Sequence, residues 1–422
     1  MKILLINTDD FTGGAAIACR RIVKSLTSYT DIQAKILVQE SKSGENNIYA
    51  TNTSWIIKKI AWIRFVLERL YYLPFEKTKT LRFAFNPAKF GLDISNHKLV
   101  KDADILHLNW INGGFLSISK IGKLLKLNKP IVWTLHDMWA FTGGCHHSRE
   151  CNNFQVSCGN CEQFIKNPYK NDLSNKIWNE KNKHFNQTNL TIVTCSNWLG
   201  NKAKQSSLFE KHPVVVIPNP IDTNVFKPMN KEVACGKLQI SANKKHILFT
   251  SMRVEAIGKG YAYFEKAMNI IKNNFAEQSQ DIEILIFGEA KKSDFSSLPF
   301  KVNILGKLDN LETIALAYSA AFIFVIPSLE ENLPNTIMES MACGTPVVGF
   351  NVGGIPEMID HKKTGYLAQY KSAEDLAMGI YWSLYQADYN SLSTNSRKKV
   401  EENYSEKIVA QKYQELYKSL IV

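Results

Sequence analysis

Two glutamates eight positions apart, Glu331 and Glu339, flank a turn in the segment SLEENLPNTIMESMACGTPVVGFNVGGIPEMI, residues 328–359. Pro334 opens a run with apolar residues at helical spacing and Gly344 follows that run, so the sequence predicts a short helix that begins soon after Glu331. The first turn of a helix exposes unpaired backbone N–H groups, which together with the helix dipole favour a bound anion such as phosphate. We therefore expect an anion site between two carboxylates, although carboxylates in such positions also act as simple helix stabilisers.

The same segment resembles the nucleotide-sugar signature of the retaining glycosyltransferases of family 4, which have the GT-B fold. The resemblance implies that Glu331 holds hydroxyl groups of the transferred sugar and that Glu339 binds the ribose of the nucleotide. It also implies that the backbone amides around Asn332 and Leu333, together with Asn335, bind the donor. The family usually follows its first glutamate with a Gly-Phe-Gly-like turn, whereas this chain continues Asn-Leu-Pro-Asn, so the resemblance does not extend to the identity of the donor sugar.

A second motif, SMRVEAIGKGYAYF, follows a predicted strand and places Arg253 and Lys259 beside Gly258 and Gly260. It resembles the family's arginine and lysine that grip the donor diphosphate. Negative charge grows on the nucleotide diphosphate as the glycosidic bond breaks, so fixed cations would stabilise this leaving group. By the same resemblance we expect catalysis to need no metal and no other cofactor. The alternative for the two cations is a solvated surface loop.

Three further motifs resemble parts of the family's site. Gly13 and Gly14 lie between a predicted strand and a predicted helix, like the glycine loop beneath the donor phosphate. His136 ends the predicted strand PIVWTLH, where α/β sheets place ligands, and matches a family histidine that hydrogen-bonds the transferred sugar. In the motif NILGKL, the resemblance implies that Gly306 and Leu308 line the nucleobase pocket.

Polar residues at the ends of two predicted strands could meet the acceptor. Asp9 and Asp10 could contact an acceptor hydroxyl or cap the helix that follows, and we favour the cap. His107 and Asn109, near the end of the predicted strand DILHLNW, could line the acceptor side.

Four cysteines lie within seventeen residues of one another: Cys145, Cys151, Cys158 and Cys161. A C-x-x-C pair with a glycine between the thiols is typical of a zinc knuckle, and the other two cysteines would complete a tetrahedral site of four thiolates. His146 or His147 could replace one thiolate. We predict a structural zinc that folds this loop, with reduced thiols or a redox disulfide as the alternatives.

The segment from Trp55 to Lys89 mixes aromatic and aliphatic residues with eight lysines and arginines, against two glutamates. This composition is typical of a segment that lies at the interface of an anionic membrane. The alternative is a buried helix with a solvated basic edge, because the apolar positions nearly encircle the helix. The whole chain has a formal net charge of +12, but we find no nucleic-acid-binding motif and expect no nucleic-acid partner.

Rigid elements must position these motifs, and predicted strands alternate with helical stretches as in parallel sheets with crossover helices. A chain of 422 residues exceeds what one core usually fills. We predict an α/β protein with two Rossmann-like, doubly wound domains, which the resemblance identifies with the GT-B fold and its central cleft. The predicted boundaries are 1–219 for an acceptor-binding domain with a Cys-rich loop at 143–165, 220–400 for a nucleotide-sugar-binding domain, and 401–422 for a C-terminal helix that returns to the first domain.

The resemblance implies retaining transfer of a sugar from a UDP- or GDP-sugar to a hydroxyl acceptor. The acceptor would be a glycan or a lipid-linked glycan in surface polysaccharide biosynthesis. No stretch reaches the roughly 20 apolar residues of a membrane span, so we expect a cytoplasmic enzyme or one peripheral on the inner face of the plasma membrane. Two alternatives remain: a GT-B sugar-nucleotide epimerase or hydrolase, which would need a further acid/base constellation, and a non-catalytic glycan-binding subunit.

Overall fold

The computed structural model describes residues 1–187, 189–250, 257–289 and 295–421, and the chain divides into two compact units. Unit 1 comprises Met1–Pro220 and Val409–Val422, and unit 2 comprises Ile221–Ile408. The predicted diphosphate-binding residue Arg253 lies outside the described residues.

Unit 1 is built on a seven-stranded sheet whose neighbouring strands all pair in parallel. In chain order its strands are β1 (Lys2–Asp9), β2 (Gln33–Glu40), β3 (Ile48–Ala50), β4 (Ile105–Leu108), β5 (Ile131–Leu135), β6 (Leu190–Thr194) and β7 (Val214–Val216). Across the sheet the order is β3-β2-β1-β4-β5-β6-β7, so the direction of strand addition reverses between β1 and β4. Open α/β sheets bind ligands beside the carboxyl ends of the strands at such a reversal point.

Both faces of this sheet are covered. The helices of the unit's long N-terminal part are α1 (Gly13–Tyr29), α2 (Trp55–Tyr72), α3 (Lys98–Asp102), α4 (Ile118–Leu125), α5 (Leu173–Phe185) and α6 (Asn197–Gln205). Leu4 and Ile6 of β1 pack into a core shared with α4 and α5, whereas the alternate residues Ile3 and Leu5 pack into a core shared with α1. The strand therefore reads as a continuous apolar run, because both of its faces are buried.

Helix α2 leaves most of its surface exposed. Ala61, Glu68 and Tyr72 are its buried residues, and the carboxylate of Glu68 accepts hydrogen bonds from the backbone N–H groups of Lys89 and Phe90 at 3.1 and 3.0 Å. The alternative of a buried helix in this segment is therefore wrong. Within the described ranges, no helix is long and apolar enough to cross a membrane.

Unit 2 has the same architecture around a six-stranded parallel sheet, which confirms the predicted α/β fold class with two Rossmann-like domains. Its strands are β8 (Lys245–Thr250), β9 (Ile282–Phe287), β10 (Val302–Ile304), β11 (Ile323–Ile326), β12 (Val347–Phe350) and β13 (Gly365–Ala368), and their order is β10-β9-β8-β11-β12-β13. Its helices are α7 (Lys231–Lys237), α8 (Tyr261–Asn274), α9 (Leu311–Ala320), α10 (Asn335–Ala342), α11 (Ile355–Met358), α12 (Ala373–Tyr385) and α13 (Tyr389–Asn403). The reversal point lies between β8 and β11.

The last helix, α14 (Glu406–Ser419), completes the core of unit 1. Its Tyr413 and Tyr417 are buried beneath the sheet, where the Tyr413 hydroxyl lies 3.1 Å from Thr134 Oγ1 and the Tyr417 hydroxyl lies 2.6 Å from His107 Nδ1. The N-terminal part of unit 1 is thus tied to the end of the chain by buried polar contacts as well as by apolar packing.

Candidate active site

A cavity of about 670 Å³ opens in unit 1 at the reversal point of its sheet. Its walls come from the end of β1, the start of α1, one side of α2 and the loops that follow β4 and β5. The lining includes the predicted residues Gly13, Gly14 and His136. A concave site with a few converging polar groups is typical of small-molecule binding.

His136 lies directly after β5 and is held from both sides of its ring. Its Nε2 lies 3.3 Å from Asn109 Oδ1, and its Nδ1 lies 3.8 Å from Cys195 Sγ. Burial lowers the pKa of His136 to about 4, so the ring is neutral near pH 7. A neutral imidazole in this position can exchange hydrogen bonds with a ligand hydroxyl without bringing a charge into the cavity.

Asp137, the residue after His136, also lines the cavity. Its Oδ2 lies 2.7 Å from His146 Nδ1 and accepts a hydrogen bond from Trp110 Nε1 at 3.2 Å. Burial alone would raise the pKa of Asp137, but the neighbouring His146 and the backbone N–H of Trp139 outweigh it and hold the pKa at about 2. The carboxylate is therefore an ionised, fixed acceptor beside His136, and His146 is engaged with Asp137.

The glycine loop of unit 1 has the conformation that its residues predict. Gly13 has φ +80°, a left-handed conformation that glycine adopts without strain, and α1 begins there. The carboxylate of Asp9 accepts hydrogen bonds from the N–H groups of Phe11 and Thr12, which precede this helix, and α1 has no side-chain cap hydrogen bond. The prediction that Asp9 and Asp10 cap α1 is therefore wrong for both residues.

Asp10 instead pins the loop that follows β2. Its buried carboxylate accepts hydrogen bonds from the hydroxyl groups of Ser41 and Ser43 at 2.7 and 2.5 Å and from the backbone N–H of Lys42 at 2.9 Å. These contacts lower the pKa of Asp10 although burial opposes the shift. Asp10 therefore shapes the loop rather than α1.

His107 does not line the cavity, so the expectation that it meets the acceptor is wrong. The ring is fully buried, with Nδ1 against the Tyr417 hydroxyl and Nε2 2.7 Å from Thr134 Oγ1. Burial lowers its pKa to about 3. Asn109 is also buried, and its contact with His136 gives it a supporting position.

In unit 2, Lys259 and Glu331 converge although they are 72 residues apart in sequence. Lys259 Nζ lies 2.5 Å from Glu331 Oε1, and that oxygen also accepts a hydrogen bond from the Ser328 hydroxyl at 3.1 Å. The loops that carry them are joined, because the backbone N–H of Leu329 donates to the carbonyl oxygen of Gly258 at 2.8 Å. The cation and the carboxylate are thus held together at the reversal point of the second sheet.

Two glycines allow this close approach. Gly260 has φ +68°, and a methyl group on it would overlap the carbonyl oxygen of Pro327. Gly353 has φ +60°, and a methyl group there would overlap the carbonyl oxygen of Glu331. The backbone N–H of Gly354 donates to that same oxygen at 3.1 Å. Three loops therefore position Glu331.

The predicted short helix after Glu331 is confirmed as α10, which starts at Asn335 after Pro334 and ends before Gly344 at φ +73°. Asn332 and Leu333 are buried just ahead of it. Pro334, in the N-cap position, makes no side-chain cap hydrogen bond, and the backbone N–H of Ile337 in the first turn donates to the Pro334 carbonyl oxygen at 3.1 Å.

Glu339 is buried on α10, where it accepts a hydrogen bond from the Tyr318 hydroxyl of α9 at 3.2 Å. Gly306, at φ +71°, lies after β10, and its carbonyl oxygen accepts a hydrogen bond from the N–H of Gly288 at 2.9 Å. Leu308 is half-buried nearby in sequence. The donor-binding roles of these residues stay predictions.

The four clustered cysteines are reduced thiols in the structure. Burial raises the pKa of Cys145 well above its usual range, that of Cys158 to about 12 and that of Cys161 to about 11, and the neighbouring thiols of the cluster add to each shift. Within the part of the chain that the structure describes, no three His, Cys, Asp or Glu side chains are arranged to hold a metal ion. The predicted zinc therefore stays a prediction.

The sequence matches two family models, one mainly in unit 1 and one in unit 2. The model described as Glycosyltransferase Family 4 matches residues 12–225, half of the chain, and the model described as Glycosyl transferases group 1 matches residues 244–385. The chain belongs to glycosyltransferase family 4. The resemblance drawn from the motifs around Glu331 and Lys259 is thereby confirmed.

Relatives of this family 4 glycosyltransferase include an uncharacterized glycosyltransferase of Haemophilus influenzae, 24% identical over 78% of this chain and 81% of that protein. A D-inositol 3-phosphate glycosyltransferase of Arthrobacter is 30% identical over 38% of this chain and 39% of that protein.

Among solved structures, sucrose-phosphate synthase of Thermosynechococcus elongatus superposes with a TM-score of 0.68 at 17% identity, covering 99% of this chain and 98% of that one. Anabaena HepE in complex with UDP and glucose gives 0.65 at 16% identity, over 99% and 100% of the two chains. These similarities show the GT-B type of fold.

Proposed function

We propose that this enzyme transfers a sugar, with retention of anomeric configuration and without a catalytic metal, from a nucleotide diphosphate sugar to a hydroxyl of a glycan or lipid-linked acceptor. The observation that carries the proposal is the pair of Lys259 and Glu331, held by three loops just ahead of the first turn of α10. This arrangement offers a cation and backbone N–H groups for a diphosphate beside a carboxylate for sugar hydroxyls.

The roles in unit 2 follow from charge. A bound diphosphate would compete with Glu331 for Lys259, whose side chain is about half exposed, and Arg253 would add a second cation. Glu331 would then accept hydrogen bonds from sugar hydroxyls, while the buried Glu339 would meet the ribose. Anabaena HepE has been solved with UDP and with UDP-glucose, which makes a UDP-sugar the first donor to test and a GDP-sugar the second.

The cavity of unit 1 would take the acceptor, with His136 as a neutral hydrogen-bonding partner of the transferred sugar. In the transfer, the bond between the anomeric carbon and the diphosphate oxygen breaks, and the acceptor oxygen bonds to the anomeric carbon on the same face. The acceptor's proton passes to the departing diphosphate, so no side chain has to act as the base. The acceptor oxygen attacks the anomeric carbon directly, so no side chain serves as a covalent nucleophile. Lys259 and the α10 amides would stabilise the charge that grows on the leaving group.

A panel of nucleotide sugars, with and without a lipid-linked acceptor, tests this function by nucleotide release and by the anomeric configuration of the product in NMR spectra. Release that needs the acceptor, with a retained configuration, is expected. Release without acceptor would indicate a hydrolase, interconversion of nucleotide sugars an epimerase, and binding without turnover a non-catalytic subunit. Glu331→Ala should abolish transfer, whereas Glu402→Ala on the exposed face of α13 should not.

We propose in addition that the four clustered cysteines bind one structural zinc. Lys181 supports this proposal, because its amine is buried near Cys158 and Cys145 and donates hydrogen bonds to the carbonyl oxygens of Trp139 and Thr142. A zinc site of four thiolates carries net negative charge, which would stabilise the buried ammonium of Lys181. The thiols would have to rotate to meet a metal. Elemental analysis of protein purified without chelators should find about one zinc per chain in wild type and none in Cys158→Ser. A wild-type protein that is fully folded but contains no metal would contradict the zinc site, and the cysteines would then be reduced thiols or form a disulfide.

A further inference from the structure

Helix α2 presents a broad apolar face to solvent. Apart from Phe65 (36%), which lies on another side of the helix, its large exposed side chains, with their exposed fractions, are Trp55 (68%), Ile56 (62%), Ile60 (46%), Trp62 (64%), Ile63 (47%), Leu67 (38%) and Leu70 (55%). At 3.6 residues per turn these positions fall within about half of the helix circumference, opposite the buried Ala61, Glu68 and Tyr72. Large contiguous exposed apolar surfaces of this kind mark interaction sites.

The charge around this face is positive, because the acids of the segment are already engaged. Glu68 is buried against backbone N–H groups, and Glu76 forms an ion pair with Arg82 at 2.6 Å. Lys58 and Lys59 are exposed on α2 itself, and the Lys59 ammonium lies 3.9 Å from the centre of the Trp55 ring.

Two further lysines, Lys77 and Lys79, are exposed in the segment that follows α2, and Phe83 is 64% exposed there. Aromatic rings and aliphatic side chains beside exposed lysines match the interfacial zone of a bilayer that contains anionic lipids. An acidic protein surface would pair with the lysines but would leave the tryptophans and isoleucines without apolar contact.

The other side of the same helix forms a wall of the unit 1 cavity. Lys58, Ala61, Trp62 and Phe65 line that cavity together with the glycine loop and His136. Trp62 belongs to both surfaces, since it is largely exposed and also lines the cavity. A bilayer in contact with α2 would therefore lie at the edge of the cavity.

We infer that the exposed face of α2, with the adjoining lysines, docks this enzyme onto an anionic phospholipid bilayer and places the cavity of unit 1 at the lipid headgroups. The docking depends only on this exposed surface and not on the proposed function. The delivery of a lipid-linked acceptor into the cavity extends the proposed function and depends on it.

Vesicle co-sedimentation tests the docking without reference to activity. Wild type should bind vesicles that contain 30% phosphatidylglycerol at least tenfold more strongly than pure phosphatidylcholine vesicles, and 0.5 M NaCl should weaken that binding about tenfold. The variant Trp55→Ser/Ile60→Ser/Leu70→Ser should lose at least tenfold in affinity for the anionic vesicles. A matched control, Val233→Ser/Leu311→Ser, removes exposed apolar side chains from unit 2 and should bind like wild type.

These triple-variant positions do not line the cavity, so turnover of a water-soluble acceptor analogue should persist while turnover of a vesicle-borne acceptor falls. Equal vesicle binding by wild type and the triple variant would overturn the inference. Equal binding of wild type to vesicles with and without phosphatidylglycerol would overturn it as well. A dimer that becomes a monomer in the triple variant would instead assign the face to a second copy of the chain. Vesicle binding without any transferase activity would refute the proposed function and leave the docking intact.

Discussion

Replacing Gly353 with alanine should displace Glu331 without removing any side chain of the site. At φ +60°, the left-handed conformation costs an alanine about 1 kcal/mol of folding free energy relative to glycine. Its methyl group would overlap the Glu331 carbonyl oxygen, so that loop must retreat by about 1 Å or more. A misplacement of that size can lower kcat/KM about 100-fold, which corresponds to about 2.7 kcal/mol of transition-state stabilisation.

The matched control is Gly44→Ala, because Gly44 has φ +71° but no atom within 4 Å of the added methyl group. Both variants should show the conformational cost in urea unfolding, whereas only Gly353→Ala should lose kcat/KM in the nucleotide-release assay. The reasoning is refuted if folded Gly353→Ala retains kcat/KM within about twofold of Gly44→Ala.

Two other predictions concern buried polar contacts. Tyr318→Phe removes the hydroxyl that donates a hydrogen bond to Glu339. Nucleotide affinity measured by calorimetry should fall about fivefold, which corresponds to roughly 1 kcal/mol, while the circular dichroism spectrum stays unchanged. Unaltered affinity would show that Glu339 does not take part in nucleotide binding. His107 has a pKa of about 3 in the folded protein and about 6.5 in the unfolded chain, so the unfolded chain binds the proton first as pH falls. The stability that comes from burying the neutral ring is therefore complete above pH 6.5 and is lost as pH falls towards 3. By pH 5 the loss is about 2 kcal/mol. The free energy of unfolding in urea should therefore differ less between pH 7 and pH 5 in His107→Asn than in wild type. Equal differences in the two proteins would contradict this.

The helix after Glu331 could be predicted from sequence because local signals define both of its ends. Pro334 and Gly344 act through their own backbone geometry, and α10 begins and ends beside them. The two parallel sheets could be predicted for the same kind of reason, since buried strands such as β1 are continuous apolar runs.

Contacts between distant residues could not be predicted in this way. His107 looks like a strand-end ligand until Tyr417, 310 residues later, is found against its ring. Asp10 looks like a helix cap, yet its partners come from the loop after the next strand. Nothing local in the sequence marks the pairing of Asp137 with His146, because it depends on how the Cys-rich loop folds back on β5.

The tyrosines of α14 also bear on how the polypeptide is made. Residues that fill part of the core of unit 1 follow unit 2 in the sequence, so the first sheet leaves the ribosome before that part of its interior has been made. During elongation the nascent chain must leave His107 and Thr134 without their final partners while the whole of unit 2 emerges. The core of unit 1 is therefore completed only after unit 2 has been synthesised.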